Sequence, residues 1–197
     1  MAKKEDFSLC VWADLKNQHI DLLKETKNST ELEELLSDLL QISNSTNSKI
    51  LLDLYLGAYK HACSKNFGNA QTSTFISIIK RVHEMCVSTP FGNFDECCKY
   101  FRKLLPMHAV HRPPWSLKIF NTKECQIVND YITDVYFRHF KMYKFSFTAR
   151  LRLDLQFTLV VHNTFNKCLV QKKSFDMLEY FFLCLFTYKL PLYKSLI

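Results

Sequence analysis

The sequence predicts a mainly α fold: a compact multi-helix domain with an extended or β-like arm near residues 149–159. Three observations lead there. Apolar residues recur at three- and four-residue steps through most of the stretch from Ser8 to Lys144, the period of a helix with one buried face. Capping-box pairs, a short polar residue followed three positions later by Glu, stand before three of these runs at Thr30/Glu33, Asn93/Glu96 and Asn121/Glu124. Only Leu151 to Leu159 alternates apolar and polar residues as a half-buried strand does. With 48% hydrophobic and 14% aromatic residues there is enough apolar surface for one core, which argues against a disordered chain.

In chain order, Ser8 to Glu25 reads as a short helix with Trp12, Leu15, His19, Leu22 and Leu23 on one side. After a break at Lys27 to Ser29, the Thr30/Glu33 box starts a leucine-rich helix through Leu32, Leu35, Leu36, Leu39, Leu40 and Ile42. The polar run 43–48 is a loop, and Ile50 to Cys63 resumes helix until Asn66 and Gly68 stop it. Gln71 to Val87 is amphipathic, with Phe75, Ile78, Ile79, Val82 and Cys86 in register, and Pro90 closes it. The expected organisation is N-terminal helices over 1–48, a main helical domain over 49–159 and a hydrophobic tail over 160–197.

The rest of the chain is expected to be arranged around Phe91 to Lys144. Asn93 and Glu96 start a helix that Pro106 ends or kinks. Pro113 and Pro114 then hold Arg112 extended in a stiff corner. Asn121 and Glu124 start the longest pattern, Thr122 to Lys144, which has no Gly or Pro and predicts a rod of roughly 35 Å. Its inner face is Cys125, Val128, Tyr131, Ile132, Val135, Tyr136, Phe140 and Tyr143. Its outer face is Asp130, Asp134, Arg138, Lys141 and Lys144, with Asp134 and Arg138 at ion-pair spacing. Phe137 falls among those charges, where a large aromatic reads as a partner anchor.

Function classes narrow by what the motifs lack. None of the three glycines belongs to a phosphate-cradling loop, and no GxSxG or HExxH pattern occurs, so no enzyme, cofactor or small-molecule substrate is expected. His83 with Cys86 and His108 with His111 each offer two ligands where structural zinc needs four, so no metal is expected either. Eight cysteines without a signal-peptide pattern read as reduced thiols in the cytoplasm, and no run approaches the ~18 apolar residues of a membrane span.

The net charge of +7 is uneven: residues 98–152 hold eleven Lys/Arg against three Asp/Glu. Such a field favours acidic partners such as tubulin surfaces, calmodulin, nucleic acid or anionic lipid. No recognised nucleic-acid motif supports that third option, and no nucleic-acid partner is expected. Tyr136, Phe140 and Phe145 stand at the 1-5-10 spacing of a calmodulin target, interleaved with Arg138, Lys141 and Lys144. The same aromatics also serve as the core face of a long helix, which is the simpler account.

Four blocks in order carry a family resemblance: Val82 to Val87, Thr89 to Asn93, His108 to Ser116, and Asp130 to Lys144 with its Tyr136-Phe137-Arg138-His139-Phe140 run. From about Leu51 to Leu155 the sequence resembles the CLAMP family of cilia- and flagella-associated proteins, which includes a small subunit of a calmodulin-containing central-pair projection. The nearest likeness is to its coiled-coil-domain-containing member. Trp115 stands where family members carry Phe and Ala149 where they carry Pro, and past about Thr158 the likeness stops without the charged coiled-coil tail of that member.

The resemblance implies a non-enzymatic structural or assembly component of the motile cilium or sperm flagellum axoneme, linked to sperm motility and spermatogenesis. Expected partners are other ciliary or axonemal proteins, with calmodulin or a calcium-binding ciliary coiled-coil protein as the alternative. The residues expected to meet a partner are Arg112, Trp115, Tyr136, Phe137, Arg138, Phe140, Lys141, Lys144 and Phe145.

Overall fold

The computed structural model describes residues 8–26, 28–42 and 47–149. The expected arm at 149–159, but for Ala149, and the tail from 160 lie outside the described residues. Seven α-helices and no strand occur among the described residues, in keeping with the mainly α expectation. They are α1 (Asn17–Glu25), α2 (Ser29–Leu39), α3 (Ser48–Ser64), α4 (Asn69–Val87), α5 (Phe94–Leu104), α6 (Thr122–Tyr131) and α7 (Phe140–Phe147).

The centre of the fold is α4, not the stretch from Phe91 onward that the sequence pattern suggests. Helices α1, α3, α5 and α7 all pack against it. Its apolar stripe of Phe75, Ile78, Ile79, Val82 and Cys86 is buried as expected, but so are Thr72, Ser73, Thr74, Ile76, Ser77 and His83. Small hydroxyl residues let neighbours approach the helix closely while bonding locally. Thr72 Oγ1 donates to the Gly68 carbonyl at 3.0 Å, Thr74 Oγ1 to Ala70 at 2.7 Å, and Ser73 Oγ to Leu15 at 2.6 Å. The helix begins at Gly68, whose N–H donates to Gln71 Oε1 at 2.8 Å. Gly68 thus starts α4 instead of stopping α3; the stop is Asn66 in the left-handed region at φ 55°. Gly57 of α3 leaves room for α6: a Cβ there would sit 3.2 Å from the Tyr131 hydroxyl.

Residues 8–16 are not the first half of a helix but a strap across α4. Trp12 takes φ 56°, which no helix accommodates, and Cys10 and Leu15 are fully buried while Leu22 of α1 faces out. Arg81 donates to the Ser8 carbonyl, to Ser8 Oγ at 2.8 Å and to the Leu9 carbonyl at 3.3 Å, and Lys80 pairs with Asp14. The Cys10 N–H donates to His108 Nε2 at 2.9 Å. In α2 the N-cap is Asn28, two residues before the expected Thr30.

The two expected boxes of the central stretch divide. At Asn121 the box is complete: the Glu124 N–H donates to Asn121 Oδ1 at 2.9 Å and the Asn121 N–H to Glu124 Oε2 at 2.8 Å. Asn93 occupies the N-cap position of α5 without capping it, because its side chain is drawn to a longer-range partner described below. Pro106 does end α5, which passes into a 3-10 turn at Leu105–His108.

The 122–144 pattern is not one rod. After α6, Ile132–Phe137 is π-helical, with the Arg138 N–H donating five residues back to Thr133 at 3.1 Å, and the chain turns at Arg138 and His139 before α7. Each π-type bond absorbs an extra residue and advances the phase of whatever follows. Lys144 is thereby carried off the outer face into the bundle.

There it lies 5% exposed, with Nζ donating to the Cys86 carbonyl at 2.5 Å, to the Thr89 carbonyl and to Asn93 Oδ1 at 2.9 Å. Asn93 Nδ2 donates in turn to the Met85 carbonyl at 2.8 Å. The end of α4, where the backbone dipole is negative, is thus covered by a cation and an amide. Lys144→Met should lower stability by about 2–4 kcal/mol, because the carbonyls and amide it satisfies stay buried. Lys141→Met, on the exposed side of the same helix, should stay within about 0.5 kcal/mol. Urea denaturation of the two variants makes the comparison.

Candidate functional site

The structure sorts the expected partner residues into an inner and an outer set. Tyr136, Phe140 and Lys144 are buried, at 1%, 4% and 5% exposure. Tyr136 stacks on Tyr143 with ring centroids 4.8 Å apart, and its hydroxyl lies 3.1 Å from His83 Nδ1. In this fold the 1-5-10 series is therefore not displayed to solvent; two of its three aromatics are core. Phe137 is a correction as well. The π-helical phase turns it inward, half-buried, with its ring centroid 5.8 Å from those of Phe94, Phe101 and Tyr136.

The outer set is Arg112, Trp115, Arg138, Lys141 and Phe145. Arg138 pairs with Asp134 at 2.8 Å as the spacing predicts, both on the surface. Phe145 stays 46% exposed on α7.

Trp115 is the most exposed large hydrophobic residue described, at 78%. The corner that carries it does not hold Arg112 in a straight extended strut. The chain doubles back: the Arg112 N–H donates to Ser116 at 3.0 Å, the Ser116 N–H to Arg112 at 2.9 Å, and the Trp115 N–H to Arg112 at 2.9 Å. Below this turn the Leu117 N–H donates to Met107 and the Ile119 and Phe120 N–H groups to His108. Ser116 is buried at the base, while Val110, His111, Arg112, Pro113, Pro114 and Trp115 are exposed. The backbone is thus fixed before any partner arrives, so little ordering cost opposes binding through the ring.

Sequence reading missed a second exposed aromatic group. Phe91 is 67% exposed and Phe94 46%, and the Phe94 ring rests against Phe137 and Phe140. The signal was present, since one phenylalanine precedes Gly92 and Asn93 and another opens the helix after them, but exposure of an aromatic depends on what packs over it.

The histidines considered as ligands are held by the fold. His108 accepts the Cys10 N–H at Nε2, and Nδ1 lies 3.0 Å from the Leu104 carbonyl, to which it donates. His83 is enclosed by the rings of Tyr136, Tyr143 and Phe147. Burial depresses both pKa values, that of His83 to about 4. No group of three His, Cys, Asp or Glu that could hold a metal occurs among the described residues. Burial also pushes the Cys10 thiol up to about 11 and Cys97 up to about 12, so neither is an activated nucleophile.

Between the ordinary histidine value of 6.5 and the folded value of about 4, the unfolded chain binds a proton at His83 that the folded chain refuses. Stability should be full above about pH 6.5 and fall toward pH 4, by on the order of 3 kcal/mol from this group. Urea midpoints across pH 7 to 4 measure the slope, which His83→Gln should flatten. For Phe137→Ala the expectation is a loss of about 2–3 kcal/mol, below the 3–5 of a fully buried ring, read from thermal melts.

Comparison with protein families gives a match over half of the chain. The model for CLAMP, described as flagellar C1a complex subunit C1a-32, matches residues 57–155. The matched span runs from the middle of α3 through α7 and takes in the Trp115 turn, the Phe91 and Phe94 link and the Lys144 contacts.

Proposed function

Because the chain belongs to the CLAMP family, that of flagellar C1a complex subunit C1a-32, we propose that it is a non-enzymatic structural subunit that docks through the Trp115 turn. Family membership puts it in the cilium or flagellum axoneme, in the central apparatus, with other axonemal proteins as partners. The observation that carries the docking reading is Trp115 itself, 78% exposed on a turn whose backbone is already satisfied and beside the cationic Arg112. Tryptophan and arginine are the residues on which protein interfaces most often concentrate their affinity. Lys141 and Phe145 form a secondary candidate surface on α7.

The calmodulin alternative through 136–145 has a structural cost. To expose Tyr136 and Phe140, α7 would have to leave α4, breaking the Lys144 bonds to Cys86, Thr89 and Asn93. The folded chain should accordingly give no calcium-dependent calmodulin capture in a pull-down.

The docking reading is tested in ciliated cells expressing the tagged full chain. Trp115→Ala should reduce retention in detergent-extracted axonemes at least tenfold while leaving the thermal melt unchanged, and Trp115→Phe should retain it. Equal retention of Trp115→Ala and the parent would refute docking through this turn.

A further inference from the structure

We propose that the solvent face of α5, continued by residues 110–118, is a docking site for an extended acidic peptide segment of a neighbouring protein, with Trp115 as the apolar anchor at one end. This rests on the docking reading above and specifies the chemistry of its partner.

The charge pattern is the first support. Between Glu96 and Glu124 the sequence has no Asp or Glu but six Lys/Arg: Lys99, Arg102, Lys103, Arg112, Lys118 and Lys123. Five of these are exposed on two successive segments, α5 and the turn that follows it. Lys99, Arg102 and Lys103 stand at three- and four-residue steps on α5, all exposed, opposite the buried Cys97, Tyr100, Phe101 and Leu104. Arg112 and Lys118 are exposed in the segment that follows.

A simpler account covers part of this. Arg102 and Lys103 fall in the last turn of α5 and Asp95 and Glu96 in its first, the distribution that offsets the helix dipole. The dipole does not account for Arg112 and Lys118, which lie outside the helix, nor for the absence of any acid among them. It does define a limit: Asp95 and Glu96 close the site at the N-terminal end of α5, so an acidic segment is confined to the rest of the helix and the turn.

Geometry selects an extended segment. From Lys99 to the end of α5 is about 8 Å at 1.5 Å per residue, and the 3-10 turn Leu105–His108 adds about 8 Å at 2 Å per residue before the Trp115 turn. Taken end to end these rises give a span of at most roughly 16–20 Å, which about six residues of extended peptide can cover. The receiving surface is ordered beforehand, its helix by a buried face and its turn by backbone hydrogen bonds. An exposed ring then gives such a peptide an apolar contact that charge alone does not.

The chain has two tryptophans, so Trp12→Phe leaves Trp115 as the sole reporter. The full chain with that change is titrated with an eight-residue glutamate-rich peptide bearing one leucine, with its glutamine counterpart, and with a twelve-nucleotide uridine RNA, while tryptophan emission is followed. The expected result is a shift in emission with the glutamate peptide and not the glutamine one, and a Kd that rises at least tenfold from 50 to 300 mM salt. Arg102→Glu with Arg112→Glu should raise that Kd tenfold or more, and Arg102→Gln with Arg112→Gln by a smaller factor should a reversal harm folding. Lys60→Glu, exposed on α3, should change it less than twofold. No binding of the glutamate peptide up to millimolar concentration, unchanged binding by both paired variants, or tighter binding of the RNA would each overturn the proposal. Loss of axonemal retention in Trp115→Ala alongside any of those outcomes would leave the docking reading standing and remove only the acidic partner.

Discussion

A helix buried along most of its length must find partners for its terminal carbonyls inside the protein. For α4 those partners are Lys144 and Asn93, and much of the architecture is arranged to deliver them. Bonds from an ammonium to carbonyl oxygens are worth about 1.5–3 kcal/mol each, whereas a buried carbonyl left alone costs about 1–3. Bringing Lys144 to that point requires α7 to lie against α4, which in turn requires the run begun at Asn121 to change phase before it arrives. The π-helical segment Ile132–Phe137 and the turn at Arg138 and His139 make the change. Phe137 turns inward as a by-product, and the surface proposed for partners is drawn from the other end of α5.

Much of this was legible where the cause is local. The capping box at Asn121 involves residues three apart, and Pro106 acts through its own ring, so both are readable from a few neighbouring letters. Asn93 shows where that reasoning stops. Its sequence context is that of a cap, yet its side chain binds Met85 and Lys144, the latter 51 positions away, and a charged partner outcompetes a neighbouring backbone amide. Lys144 was misplaced because a constant 3.6-residue period was carried through a segment that does not keep it. For α4 the amphipathic pattern names a single buried stripe, and nothing in the spacing of Thr72, Ser73 and Thr74 tells that they are buried too, with hydroxyls satisfied by the helix itself or by the strap.

The candidate site was legible in a different way. Arg112 and Trp115 stood out by residue type beside two prolines, and the structure adds the backbone bonds that present them. Tyr136 and Phe140 matched an interaction motif equally well, but aromatics spaced for a groove-binding helix are spaced equally well for a core. Only packing separates the two, and here packing places them beside His83 and Phe94. The family match encloses all of these residues, so the scaffold that supports α4 and the turn that faces outward belong to one continuous region.

The strap at residues 8–16 bears on how the chain is made. Its anchors, Ser73, Lys80, Arg81 and His108, are 58 to 98 positions downstream of the groups they hold. During synthesis Cys10 therefore leaves the ribosome long before the histidine that will receive its N–H exists. Contacts this distant in sequence close slowly, because the intervening loop must be ordered first. The earliest of the described segments to emerge is thus among the last to settle, and until it does one side of α4 is uncovered to the surrounding solution.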